Sequence, residues 1–137
     1  MSRRHPRVVL ADSSFLMAPM DFRINIIAEL DRVLERGYEL VVPSFCVDEL
    51  KRLEARGGKI GMKARLALRL VEKHCRVLPA KLNEGEDVDD GIVRLARELS
   101  AIVATGDKEL RRRLRELGIP SVYVRAGKRL ELEGELD

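Results

Sequence analysis

The sequence predicts an α/β fold: a three-layer α/β/α sandwich around a central parallel sheet. Short apolar runs alternate with stretches of helical periodicity, the pattern of successive βαβ units. The runs are flat in polarity rather than alternating, as strands buried on both faces are. Glycine and proline punctuate the changes of period at Gly37, Gly57-Gly58, Pro79 and Gly118. Val8 to Ala11 reads as the first strand. A helix follows from about Phe22 to Arg36, with Ile26, Ile27, Leu30, Val33 and Leu34 at helical spacing and Gly37 as its C-cap. Leu40 to Val42 is the second strand, and Pro43-Ser44 opens a helix that reaches Arg56. After the glycine pair, Ile60, Ala64, Ala67 and Val71 form the inward face of a helix ending at His74. Val77-Leu78 is a third strand. Asp89 to Leu99 is helical, Ala101 to Ala104 is the fourth strand, and Asp107 to Leu117 is a helix with Leu110, Leu114 and Leu117 inward. Ser121 to Val124 is the fifth strand, and the tail from Lys128 is a candidate edge strand.

The 137 residues suit one domain, with a core over about 7–125 and a tail over 126–137. Apolar residues reach 45%, enough for a core, and charged residues 36%. The 26 basic and 23 acidic residues leave a net charge of only +3, so any polyanion surface depends on how charge is distributed. Cys46 and Cys75 form no CxxC pair, which argues against zinc and for buried thiols in a reducing cytoplasm. No stretch approaches the roughly 20 apolar residues of a membrane span, so no membrane partner is expected. The basic start, Met1 to Arg7, is followed by Asp12 and by no cleavage pattern, unlike a secretory signal.

Acids stand where the apolar runs end. Asp12 follows Val8 to Ala11, Glu49 comes soon after Leu40 to Val42, Asp89 and Asp90 open a helix, and Asp107 follows Ala101 to Ala104. Parallel strands all end on one edge of a sheet, and ligands bind there at the topological switch point. Four acids scattered through the chain can thus form one pocket. Such a pocket repels itself unless a cation fills it, and Mg²⁺ or Mn²⁺ are the hard ions that carboxylates prefer. Each acid also has a plainer explanation. Asp12, Asp89 and Asp107 precede helices, where aspartate is a favoured N-cap worth roughly 0.5–2 kcal/mol. Glu49 lies inside a helix, between Phe45 and Leu53 on the inward stripe, where an unpaired carboxylate is costly. Asp89 shares the inward face with Ile92 and Ala96, while Asp90 is turned about 100° toward solvent as a secondary ligand or a cap. Ser13, Ser14 and Thr105 adjoin these acids and serve either as outer hydroxyls or as turn formers. Glu109 belongs to the rim or is solvated. His5 and His74 are read as structural or exposed.

At these residues the chain resembles the PIN-domain family of metal-dependent ribonucleases. The matching segments are VVLADSSFL, VPSFCVDELKRL, EDVDDGIVRLA and AIVATGDKELRRRLRELGIPSVYV, in order from Val8 to Val124. The last two are most similar to small archaeal members related to the ribosomal-RNA processing nuclease of the small-subunit processome. The resemblance implies that Asp12, Glu49, Asp89 and Asp107 hold Mg²⁺ or Mn²⁺ and carry catalysis. Asp12 and Asp107 are then direct ligands, and Asp90 an accessory one. Ser13-Ser14 stands where the family often has a hydroxyl and an amide. The implied activity is endonucleolytic hydrolysis of RNA, as in rRNA processing, or as the toxin ribonuclease of a toxin–antitoxin pair. The implied partners are RNA, a second copy of the chain, and a ribosome-assembly or antitoxin-like protein.

Phosphate contact is expected from two basic groups. One is Arg111, Arg112, Arg113 and Arg115 on the helix after Asp107. The other is Lys51, Arg52, Arg56 and Lys59 around the glycine pair. For each of these residues a solvated helix face with glutamate partners is the competing reading. Aromatics at 4% leave base stacking a minor role. A non-catalytic scaffold of the same shape would keep the cations without needing all four acids. A phosphoacceptor receiver would want an acidic pair after the first strand and a lysine after the fifth, where Asp12 stands alone and Arg125 is found. Gly57-Gly58-Lys59 lacks P-loop spacing, and no GxGxxG follows a strand.

Overall fold

The computed structural model describes residues 6–35 and 37–136, so Arg36 and His5 lie outside the described residues. The elements run β1 (Arg7–Ala11), α1 (Ser13–Phe22), α2 (Ile26–Val33), β2 (Tyr38–Pro43), α3 (Ser44–Arg56) and α4 (Gly58–His74). They continue with β3 (Arg76–Leu78), α5 (Val88–Leu99), β4 (Ile102–Ala104), α6 (Lys108–Glu116), β5 (Ser121–Arg125) and β6 (Arg129–Glu133). The sheet order is β3-β2-β1-β4-β5-β6. β1 to β5 are parallel, and β6 closes the edge antiparallel to β5.

From β1 the chain steps outward to β2 and β3, then returns to β4 on the other side of β1. Right-handed crossovers therefore put α1, α2 and α4 on one face and α5 and α6 on the other. The switch point lies between β1 and β4. Their register pairs Ala11 with Ala104, so the next residues, Asp12 and Thr105, leave the sheet side by side. The central strands are apolar because both faces are covered: Val9, Leu10, Val41, Val42 and Val103 are fully buried.

Several elements differ from the sequence expectation. The helix expected over 22–36 is shorter, α2 over Ile26–Val33, and an unexpected helix, α1, precedes it. Pro19 is a poor residue for a helix interior, yet α1 begins at Ser13, capped by Asp12, and extends only three residues past that proline. Arg23 then turns left-handed, and Asn25 caps α2 through the Ala28 amide. Leu34, in extended conformation, ends α2 in place of Gly37. On α4, Ile60 is exposed and Gly61 takes the inward position, where a Cβ would lie 3.1 Å from the Glu54 carbonyl. Leu117 is exposed just past the end of α6.

Two glycines shape the way the helices pack, one by a turn and one by a close approach. Gly57, with φ of +74°, turns α3 into α4, a conformation that favours glycine. Gly91 lets α5 close onto the base of α3: a Cβ there would stand 3.0 Å from Phe45 Cζ and 2.5 Å from Leu82 Cδ2. Gly91 thereby brings the first turn of α5 against the first turn of α3. Among the described residues, no helix is long and apolar enough to cross a membrane.

Candidate active site

Asp12 is buried at the C-terminal end of β1. Its Oδ1 accepts from the Phe15 amide at 2.9 Å and from Ser14 Oγ at 2.7 Å, and its Oδ2 accepts from the Thr105 hydroxyl. Asp12 is therefore the N-cap of α1 and stands at the switch point with both oxygens occupied. Burial pushes its pKa up to about 6 and the charge of Asp89 adds to the rise, against the pull of the three hydrogen bonds. No cation offsets it.

Thr105 ties Asp12 to Asp107. It accepts from the Asp107 amide at 3.0 Å while donating to Asp12. Asp107, exposed, caps α6 by accepting from the Glu109 and Leu110 amides at 2.8 and 3.1 Å. Ser13 donates to Glu49 Oε1 at 2.9 Å, which brings the second turn of α3 to the start of α1. Asp89 faces the cleft from α5. Its pKa is raised by burial first, then by Asp107 and Asp87, with Arg113 opposing. Asp12, Glu49 and Asp89 together reach the buried Cys46, whose thiol burial drives far upward with their charges adding. Hydrogen bonds through Ser13 and Thr105 and the mutual charge effects of Asp12, Asp89 and Asp107 thus bring the four acids to the same end of the sheet, beside the switch point.

Of the two roles expected for Asp90, secondary ligand or cap, the structure shows the cap. Its Oδ2 closes a capping box on the Asp87 amide, and its Oδ1 pairs with Arg113 at 2.9 Å. Both oxygens are occupied, and these contacts hold its pKa below the usual range. The N-cap of α5 is accordingly Asp87, not Asp89. The signal was the Asp-x-x-Asp spacing of 87 and 90. Glu109 is solvated and pairs with Arg112 at 2.8 Å. His74 is exposed at the end of α4. Gly106 was not anticipated: its amide donates to Ser14 Oγ at 2.9 Å and so locks the hydroxyl that holds Asp12.

The two basic groups are placed differently. On α6, Arg111 lies over the Tyr123 ring at 3.7 Å and 3.5 Å from Glu133. Arg112 pairs with Glu109 and Glu116, Arg113 with Asp90, and Arg115 with Glu133. On α3 and the start of α4, Lys51, Arg52, Arg56 and Lys59 are exposed, with no carboxylate within 4.0 Å among the described residues.

Among the described residues, no three Asp, Glu, His or Cys side chains stand close enough together to hold a metal ion by themselves. Asp12, Glu49 and Asp107 are instead turned onto hydroxyls and amides. Their chemistry nevertheless suits a hard divalent cation: all four site acids offer oxygen donors, and a positive charge would relieve the burial and mutual repulsion that raise Asp12 and Asp89.

The sequence matches the PIN like domain family over residues 8–127. It is 34% identical over 130 residues to "Ribonuclease VapC4" of Methanocaldococcus jannaschii, covering 92% of this chain and 96% of that one. It is 29% identical over 122 residues to the human "rRNA-processing protein FCF1 homolog", covering 87% of this chain and 58% of that longer one. Among solved structures, "Structure of the PIN domain endonuclease Utp24" superposes with a TM-score of 0.78 at 27% identity, over 96% of this chain and 95% of that one. With its strand order, its cleft at the β1–β4 switch point and a match across nearly its whole length, the chain belongs to the PIN-like domain family.

Proposed function

We propose that this protein is a divalent-metal-dependent endoribonuclease. The observation that carries the proposal is Asp12, a carboxylate buried at the switch point near Glu49, Asp89 and Asp107, with no cationic partner within 4.0 Å among the described residues. A structural N-cap needs none of that company. Mg²⁺ or Mn²⁺, held by Asp12, Asp107, Glu49 and Asp89, would supply water activation and charge neutralisation at the phosphate when bound.

The chain's own residues prepare that site. Thr105 and Ser14 fix both oxygens of Asp12, and Ser13 fixes one of Glu49, so the acids are oriented before an ion arrives. Arg52 and Arg56 follow Glu49 by three and seven residues on α3. That spacing puts them on its stripe, about 4.5 and 10.5 Å further along the helix. They form a positive lane leading away from the acidic cleft, suited to phosphates flanking the cleaved bond. Neither reads a base edge, so this lane confers affinity without sequence choice.

Ribosomal-RNA precursor is the substrate class we favour, supported by the human rRNA-processing relative, and the Utp24 structure, which aligns over nearly all of both chains, supports endonuclease chemistry. The VapC4 relative supports ribonuclease activity in general, and a toxin-type ribonuclease with an antitoxin-like partner is the second reading. The test is cleavage of precursor rRNA and of generic RNA with Mn²⁺, with chelator, and with Asp12→Asn. The proposal expects cleavage only by the parent with metal. Equal cleavage by Asp12→Asn would refute it, and RNA binding without cleavage under any metal would leave a scaffold.

A further inference from the structure

Next to the acids lies a cavity of about 310 Å³ between α1, the start of α6 and β5. It adjoins the catalytic cleft through Ser14 and Gly106, the pair whose hydrogen bond holds Asp12. Three of the chain's five aromatic residues line it: Phe15, Phe22 and Tyr123. Phe15 is buried, but Phe22 is 46% exposed. A phenylalanine this exposed gains little from the core, and Gly127 leaves room for its ring: a Cβ there would lie 3.1 Å from Phe22 Cδ1.

The remaining wall is cationic. Arg111 is stacked on Tyr123 and steadied by Glu133, presenting a planar guanidinium. Its Nε is buried and makes no hydrogen bond. Lys108, one residue after Asp107, is exposed with no carboxylate within 4.0 Å among the described residues. The charge of Asp21 on the same wall is offset by Lys63 at 2.5 Å. A cavity lined by aromatic rings, a guanidinium and an exposed lysine, beside the proposed phosphate-cleaving centre, has the chemistry of a base-stacking site.

We propose that this cavity is a nucleobase subsite, which receives the unstacked base of a nucleotide adjoining the scissile phosphate, with Phe22 as its stacking ring. The inference rests on the ribonuclease reading and adds to it a requirement for single-stranded substrate at that position. It differs from the α3 lane, which holds phosphates whatever the base.

The test measures binding of 5′-fluorescein hexa-uridylate and hexa-adenylate, and of the same hexamers carrying abasic central riboses, to the full chain in chelator. The abasic probes are expected to bind about tenfold more weakly than the intact ones. Phe22→Leu, which keeps an apolar side chain, should weaken the intact probes to the abasic level and leave the abasic probes unchanged. Phe22→Trp should restore the difference. Equal binding of intact and abasic probes by the parent, or a Phe22→Leu loss shared by both, would overturn the subsite. Because no cleavage is read, a parent that fails to cut RNA but shows this pattern refutes only the nuclease reading. A parent that cuts RNA yet binds both probes alike refutes only the subsite.

Discussion

The carboxylates of this protein fall into two groups according to what faces them. Around the outside, Glu29, Glu39 and Glu86 meet Arg32, Arg76 and Arg94, and Asp90 meets the Asp87 amide and Arg113; all four are held below the usual carboxylate range. Where β1 and β4 end, Asp12 and Asp89 meet buried surface and other acids, and both are raised. The chain has arginines to spare, 19 of them, so the lack of one at Asp12 is a property of the place and not of composition. A fold carries such a cost where the unpaired charge has a use.

Substitutions on the two sides of this division should behave oppositely. Asp107→Asn in the cleft is expected to lower RNA cleavage by about 10²–10³-fold or more, whereas Glu39→Gln, which breaks an exposed pair with Arg76, should leave it unchanged in the same assay. A cleavage rate untouched by Asp107→Asn would erase the division. Thr105→Val removes the hydroxyl that orients Asp12 and accepts from the Asp107 amide, and a loss of about 10–100-fold in kcat is expected. Restoration by Thr105→Ser would separate the hydroxyl from a packing effect.

The cations repeat the contrast at smaller amplitude. Arg52 and Arg56 have no carboxylate partner within 4.0 Å among the described residues, so removing both should weaken RNA binding and flatten its salt dependence by about 1.4 in log–log slope, roughly 0.7 per phosphate contact. Arg112 is already shared between Glu109 and Glu116. Arg112→Ala should shift the slope by nothing measurable and stability by at most about 0.5 kcal/mol. The reverse ranking in a salt titration would move the RNA track to α6.

Much of this arrangement was legible in the sequence because it follows from local patterns. The parallel sheet came from flat apolar runs at 8–11, 40–42 and 101–104, and the gathering of acids from the rule that parallel strands end together. Other features needed tertiary contacts. α1 was hidden by Pro19, whose penalty is outweighed by an Asp12 cap and a face carrying Phe15 and Leu16 into the core. Three acids at 87, 89 and 90 compete for one cap, and only the closed box identifies Asp87. The α6 arginines looked as available as those on α3 because Glu133, the partner of Arg111 and Arg115, lies on a strand beyond β5. The Thr105 contact to Asp12 required the β1–β4 register.

The central claim is that the cleft is short of positive charge and completed by a divalent ion, and thermal melting of the parent and Asp12→Asn across pH tests it most directly. A carboxyl raised from 3.8 to about 6 contributes stability that is present below pH 3.8 and lost as pH rises through 6, about 3 kcal/mol at most. Without divalent ions, Asp12→Asn should therefore melt above the parent at pH 7.5, with the gap closing toward pH 4; adding Mg²⁺ or Mn²⁺ should raise the parent and not the variant. A variant that melts below the parent at pH 7.5, beside a parent indifferent to both ions, would contradict the account.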